Sequence, residues 1–408
     1  MSRSSSLGSV LYNLETVWGE DVDTFASRMA VIGRIDVSSL VQEQIERNVV
    51  VDRKQGGVRR ALGTFGGDIK TSFHLCGHGA TTLGAVTLQD MTNMLGRVFG
   101  TAVVSAASGT TATGGTATAP TTTASGTFAS GALTRIGALG DGRGNGQIYA
   151  INNHTTTTLT LLTALGGSPS NGDVIASGAT IHSNESPTAV ATPPSYRFLF
   201  QTANKHYSCH GCFPKSVSIS ALNAGELPTI EITWGVSRWK NVSTTFPSAT
   251  ANPTALPAPN SAGSCWYNSV GTATNALKAI RSFSIDYTLG IQQIDAINGA
   301  IQYQKTVSAV RVPDNIKVSL VVDAEDVSAS PAEEVAFLAQ TEKHALITLN
   351  PTDGKAVGFY FPNLIYSGNR PTQQDMDGLN RVTLEFTAHS AQSGTTDLER
   401  SAFRMYMG

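Results

Sequence analysis

The stretch Lys215-Ser-Val-Ser-Ile-Ser-Ala-Leu-Asn-Ala-Gly-Glu-Leu-Pro-Thr-Ile-Glu-Ile-Thr-Trp234 decides the fold class. On either side of Ala224-Gly225 the apolar side chains take every second position, Val217 and Ile219 before it, then Ile230, Ile232 and Trp234. Period two belongs to a strand, and apolar residues confined to one face mean that one face is buried. Two such runs around a glycine turn predict an antiparallel hairpin. Similar runs recur at Phe283 to Tyr287, Ile316 to Val322, Val357 to Ile365 and Arg381 to Thr387, so the chain reads as mainly β.

Two segments carry helical spacing instead. In Thr87-Leu-Gln-Asp-Met-Thr-Asn-Met-Leu-Gly-Arg-Val-Phe99 the residues Leu88, Met91, Leu95 and Val98 recur every three to four positions, with Thr87 as N-cap. Ser330-Pro-Ala-Glu333 reads as a capping box with proline at the first helical position, and Val335 and Leu338 continue it on one face.

Charged residues make up 14% of the 408-residue chain, and 40 residues are glycine. An ordinary soluble domain carries ~25% charged residues, so this is not a helical protein with solvated faces. With 28 basic and 30 acidic residues the formal charge is −2. That excludes the basic footprint of a protein gripping nucleic acid by counterion release. The start, Met1 to Gly8, lacks the apolar core of a secretory signal, and no run of ~18 apolar residues occurs. The expectation is a soluble protein made in the cytoplasm, without a membrane partner. Four cysteines, Cys76, Cys209, Cys212 and Cys265, are too sparse for a disulfide scaffold.

Composition divides the chain. Residues 101–190 are rich in Thr, Ala, Ser and Gly and form an insert. Its first part, Thr101 to Ser130, predicts an exposed extended linker or edge strand, whereas about 127–185 predicts a small all-β barrel or sandwich of short runs between glycine turns. The flanking parts repeat one order of elements. Asp68-Ile-Lys-Thr-Ser-Phe73 precedes the first helix and Asn315-Ile-Lys-Val-Ser-Leu320 the second. Possible hairpin turns, Gln55-Gly-Gly57 and Asn298-Gly299, lie upstream. Downstream, Phe213-Pro-Lys215 matches Phe361-Pro-Asn363, and Thr229 to Trp234 matches Val382 to Thr387. We read two copies of one β-sandwich domain, each with a flanking helix. The expected division is 1–100, an arm and the first part of domain 1; 101–190, the insert; 191–275, the rest of domain 1 and a linker; and 276–408, domain 2.

Candidate chemistry is weak. His206, Cys209, His210 and Cys212 resemble half a zinc site, and His74, Cys76 and His78 another, but the halves lie far apart and small cysteines buried in a sheet explain the same letters. The preferred reading has no metal. Gly140-Asp-Gly-Arg-Gly-Asn-Gly146 lacks the following helix and Lys-Ser/Thr of a phosphate cradle. Asp323, Glu325, Asp326, Glu333 and Glu334 invite calcium, yet the last two suit the first turn of a helix. No nucleophile or metalloprotease motif is present, so an enzyme ranks last and no cofactor is expected.

The stretch Cys209 to Trp234 resembles the glycine-cysteine, strand, glycine-turn, alternating-strand signature of bacteriophage tail tube (major tail) proteins. Gly63-Thr-Phe-Gly-Gly-Asp-Ile-Lys-Thr-Ser-Phe73 with the Leu88–Phe99 helix is similar to that family's strand and helix, and Phe283-Ser-Ile-Asp-Tyr287 with the Ile316–Val322 strand to its second half. The resemblance covers roughly residues 45–100 and 205–405, through loose strand-and-turn patterns.

It implies a virion structural protein, assembled in the host cytoplasm, whose β-sandwich domains extend hairpins that join neighbours into a barrel. Rings then stack into a hollow conduit that DNA crosses transiently. Implied partners are copies of the same chain and the tail terminator, tape measure and baseplate proteins. Since simple members form hexameric rings, two fused copies imply a homotrimeric pseudo-hexamer; if the halves form one enlarged sandwich, homohexameric rings follow. Arg53, Lys54, Arg59 and Arg60, awkward in a DNA conduit, are expected at a ring-to-ring contact, and the insert outside the assembly. The competing reading is a tail fibre, spike or other host-attachment protein that binds carbohydrate.

Overall fold

The computed structural model describes residues 10–19, 34–51, 54–75, 77, 90–104, 110–123, 128–137, 147–165, 167–176, 178–183, 193–202, 205–221, 226–242, 264–270, 277–278, 280–295, 306–312, 314–323, 330–350, 355–368, 370–371, 373–376, 379–391 and 394–408. Strands dominate and every pairing is antiparallel. The chain opens with β1 (Val10–Leu14), β2 (Arg34–Asp36), β3 (Leu40–Val51), β4 (Lys54–His74), α1 (Asp90–Phe99) and β5 (Gly100–Val104). Six short strands follow: β6 (Thr110–Thr116), β7 (Ala119–Thr122), β8 (Leu133–Ile136), β9 (Gln147–His154), β10 (Leu159–Leu161) and β11 (Val174–Ala176). Next come β12 (Ala179–Ser183), β13 (Tyr196–Thr202), β14 (Lys205–Ala221) and β15 (Thr229–Val242). The last part holds β16 (Ser264–Ser269), β17 (Leu277–Lys278), β18 (Ile280–Thr288), β19 (Ile291–Asp295), β20 (Thr306–Arg311), β21 (Asn315–Asp323) and α2 (Ser330–Leu338). It ends with β22 (Lys343–Asn350), β23 (Val357–Tyr366), β24 (Gln373–Met376), β25 (Leu379–Ala388), α3 (Asp397–Arg400) and β26 (Arg404–Met407).

Eighteen of these strands join one nearly closed, barrel-like sheet. Its spine runs β2-β4-β15-β14-β18-β21-β25 and passes through β23 to β22 and β26. The deciding hairpin is β14 and β15. Val217 faces Ile232 and Ile219 faces Ile230, all four buried.

Aromatic rings lock the interior. Phe99 of α1 stacks on Tyr287 at 5.2 Å and meets Phe403 at 4.9 Å, and Phe403 reaches Phe361 at 5.7 Å and Phe359 at 6.1 Å. One ring thus ties helix, β18 and β23 together. Met94, Leu95 and Val98 complete the buried face of α1; Thr87 and Leu88 lie outside the described residues.

Of the two alternatives for the Thr-rich tract, linker or edge strand, the described residues fit the second: β5 pairs with β12 alone in the large sheet, while β6 and β7 belong to the small one, ordered β10-β9-β8-β11-β6-β7 with β7 at its end. That small sheet closes on itself: Leu161 N donates to Thr118 O at 2.9 Å, and Leu165 N to Ala117 O at 2.8 Å. Threonine is β-branched and suits a ladder, and the side chains of Thr113 and Thr121 bond each other at 3.0 Å, so little apolar mass is needed. Both faces of β9 are covered. Tyr149 and Ile151 fill the barrel with Leu398 of α3, while Ile148 and Ala150 pack on Trp266, Leu346 and Tyr360 of the large sheet.

Two further expectations change. Val335 and Leu338 are 62% and 67% exposed, because Phe337, edge-on to Tyr366 at 5.8 Å, and Ala336 turn inward instead. Val51 pairs with Lys54 and Val50 with Gln55, so Gln55-Gly-Gly57 lies within β4 rather than at a hairpin turn; Asn298-Gly299 lies outside the described residues.

Phe403→Ala should lower the unfolding free energy by about 3–5 kcal/mol, the usual cost of emptying a buried phenylalanine site. It is read as a lower urea midpoint at unchanged slope. A loss under about 1 kcal/mol would mean that the seam does not hold the layers together.

Candidate assembly surface

Strand β14 is longer than its first neighbour. β13 covers it from Lys205 to Cys212, and β18 takes over the same side from Ser216 to Ala221. Ser218 Oγ donates to Asp286 Oδ1 at 2.9 Å across that junction. Among the described residues, two of the open edges match the two partners of that junction. β2 pairs only with β4, and Ile365 and Tyr366 of β23 pair only with β25. Backbone N–H and C=O groups on such edges are a template for another strand.

Polar anchors hold both ends. Lys70 Nζ meets Glu231 Oε1 at 3.1 Å and Lys215 Nζ meets Asp68 Oδ1 at 2.6 Å, beside β2. The buried carboxylate of Glu15 accepts from Ser195 Oγ at 2.6 Å, Gly19 N at 2.8 Å and Gly211 N at 2.9 Å, fastening the N-terminal arm to β14. Near the other edge, Tyr366 Oη donates to Glu333, which also faces Lys343 Nζ at 3.6 Å, and Arg370 pairs with Glu334. Burial, then the bond to Glu333, pushes the Tyr366 phenol far up, so it stays a donor. Glu333 and Glu334 are thus engaged with protein cations; Glu325 and Asp326 lie outside the described residues.

The basic positions fall on a separate feature. Among the described residues, 54–66 of β4 pair only with β3, so this hairpin leaves the sheet over about 13 residues, about 40 Å at ~3.3 Å each. Lys54 faces Val51 near its tip, Arg59 faces Arg47 and Arg60 faces Glu46. Arg53 lies outside the described residues. The hairpin of β19 and β20 leaves the sheet at the corresponding place between β18 and β21.

The two half-sites considered for zinc do not meet. His74 faces Thr229 and Cys209 faces Trp239, ten positions along the same strand and so about 30 Å apart. His210 Nε2 and Ser208 Oγ bond at 2.7 Å, and Cys209, Cys212 and Cys265 are buried. Among the described residues no three His, Cys, Asp or Glu side chains gather as a metal site. Cys76, His78 and Gly140 to Gly146 lie outside them.

What the sequence reading missed is β2, three residues long. A signal existed: Ile35-Asp36 returns as Ile285-Asp286 in β18, and Tyr12-Asn13 of β1 as Tyr267-Asn268 of β16.

Burial pushes the thiols of Cys212 and Cys265 well up, so neither forms thiolate near neutrality. A Cys76→Ser variant should therefore show no fast-reacting thiol at pH 8 until it is unfolded. Reaction of the native variant at the rate of a free cysteine would contradict this. No protein-family model matches the chain, and no curated protein matches it.

Proposed function

We propose that the chain is a virion structural protein, a subunit of a bacteriophage tail tube made of two copies of one six-stranded unit. The strand order β1-β13-β14-β15-β4-β2 has a counterpart in β16-β22-β23-β25-β21-β18, with α1 and α2 in equivalent places. Registers support the duplication. Ile69, Lys70, Thr71, Ser72 and Phe73 face Trp234, Thr233, Ile232, Glu231 and Ile230; Ile316, Lys317, Val318, Ser319 and Leu320 face Ala388, Thr387, Phe386, Glu385 and Leu384. The irregularity between Tyr196 and Phe198 has its twin between Lys343 and Ala345. Two matches drawn from sequence shift: Thr229 aligns with Thr383 rather than Val382, and Cys209 rather than Phe213 corresponds to Phe361.

The observation that carries the reading is the junction of β14 with β18. It joins the open half of one unit's long strand to the other unit's outer strand. Each chain retains one unused copy of both partners, the end of β23 and the edge of β2. Such a head-to-tail contact generates rings when its rotation closes. Two units per chain make a trimer a ring of six, in which the β2 edge and the end of β23 are both paired. Rings stack through the β3–β4 hairpin with Arg53, Lys54, Arg59 and Arg60, and the formal charge of −2 suits a conduit that must not hold DNA. On this reading tail terminator, tape measure and baseplate proteins are partners, and the protein is neither an enzyme nor cofactor-dependent. No helix among the described residues is long and apolar enough to cross a membrane.

Negative-stain averages of the purified protein should give hollow rings or tubes with six inner lobes and three outer protrusions. Sixfold symmetry out to the largest radius would eliminate the trimer, and slender spikes or persistent monomers the tube itself.

On this reading the register implies one contact between copies. Ser218 faces Glu231, and Ser367 N donates to Glu385 O at 2.8 Å, so Ser367 stands where Ser218 does and Asp36 where Asp286 does. Asp36→Cys with Ser367→Cys should form disulfides between copies, ending at a covalent trimer on a non-reducing gel, while either variant alone stays monomeric on that gel. A ladder without a trimer endpoint, or no crosslink in assembled rings, refutes the register.

A further inference from the structure

We infer that the cleft between the inserted barrel and the large sheet binds a neutral saccharide unit. The cleft has a volume of about 500 Å3, within the ~300–1,000 Å3 common for small-ligand sites. Leu162 of the barrel forms one wall, Val270 and Pro362 of the large sheet the other. Asn363 and Arg404 lie between them.

Two buried polar groups there have unmet capacity. Asn363 is 4% exposed, and its Oδ1 has no hydrogen-bond partner among the described residues. A buried amide oxygen left bare is uncommon and calls for a donor. Arg404 is 2% exposed and donates from Nε to Ser401 Oγ at 3.1 Å, from Nη1 to Gly131 O at 2.9 Å and from Nη2 to Glu399 O at 2.6 Å. A guanidinium has five N–H groups, so two remain for other acceptors. An acceptor seeking a donor beside donors seeking acceptors is complementary to hydroxyls, which do both.

Charge narrows the class. Glu342 and Glu399 also line the cleft, so with Arg404 the wall holds one positive and two negative groups. An anionic ligand meets two carboxylates, and an ammonium ligand meets the buried guanidinium; either pairing of like charges is unfavourable. A neutral ring with hydroxyls toward Asn363 and Arg404 and C–H groups toward Leu162, Val270 and Pro362 suits these groups.

This inference is independent of tube formation, which microscopy follows separately. The probes are glucose, galactose, mannose, N-acetylglucosamine and their β-linked disaccharides, with glucuronate and glucosamine as charged controls, measured by saturation-transfer NMR on the full chain. At least one neutral sugar should bind, and both charged analogues more weakly. Asn363→Leu removes the acceptor, and Leu162→Trp fills the cleft from a side chain that is 36% exposed and so tolerates enlargement. Each should weaken binding at least tenfold at unchanged melting temperature. No binding by any neutral sugar, tighter binding of a charged analogue, or binding untouched by Leu162→Trp would overturn the inference.

Discussion

A strand at the edge of a sheet leaves backbone N–H and C=O groups that must find partners or meet solvent, and this constraint organises the molecule. At β14 it is met in two stages along one side, by β13 and then by β18. The second stage works only because β14 runs for 17 residues, past the end of its first partner. Irregularities between Tyr196 and Phe198 and between Pro214 and Ser216 bend the pair where the partner changes. On the proposed reading, the same offset repeated between chains is the assembly contact, so edge satisfaction inside the chain and between chains is one interaction.

Rigidity behind those edges comes from packing across the layers. Trp234 sits centrally, its Nε1 donating to Thr71 Oγ1 at 2.9 Å while its ring meets Phe198 at 5.0 Å and Tyr196 at 5.4 Å. A buried indole N–H needs a partner, and Thr71 supplies it from the strand next door. Trp234 thereby fixes β15 against β4 and β13 at once, and β4 carries both β2 and the projecting hairpin. A soft core here would let the edge slide, and a one-residue slip would turn Ile35 outward.

The alternation in Val217 to Trp234 was legible because one face of that hairpin is buried and the other is not. The face of α2 was not, since Phe337 competes with Val335 and Leu338 and only Tyr366, distant in sequence, decides the contest. In the Thr-rich tract the choice between linker and strand stayed open for a related reason: hydrophobic periodicity registers apolar mass, whereas β6 and β7 are held by backbone ladders and threonine hydroxyls, with only Thr110, Ala112, Pro120 and Thr122 buried. As for the edges, β2 at three residues is below the length at which a pattern forms, and its meaning lies in which strand it lacks. Arg404 and Asn363 gave no sequence signal at all, because their environment is made by segments more than 200 positions apart.

The site of the insert follows from geometry. Val104 faces Ala179 across the β5–β12 pair, so everything between them leaves and returns at neighbouring points. Closing even a long loop there adds little entropic cost, which grows only with the logarithm of length. The barrel nevertheless does not hang free. Leu133, Ile148 and Ala150 bury against Trp266, Leu346, Tyr360 and Tyr406, and Gly358 comes so near Ile148 that a Cβ there would stand 2.4 Å from its Cδ1. Arg404 then bonds the barrel's Gly131 carbonyl from the last strand of the chain. The barrel between β5 and β12 is thus docked on the large sheet, and the seam between them is where a cleft with buried polar groups arises.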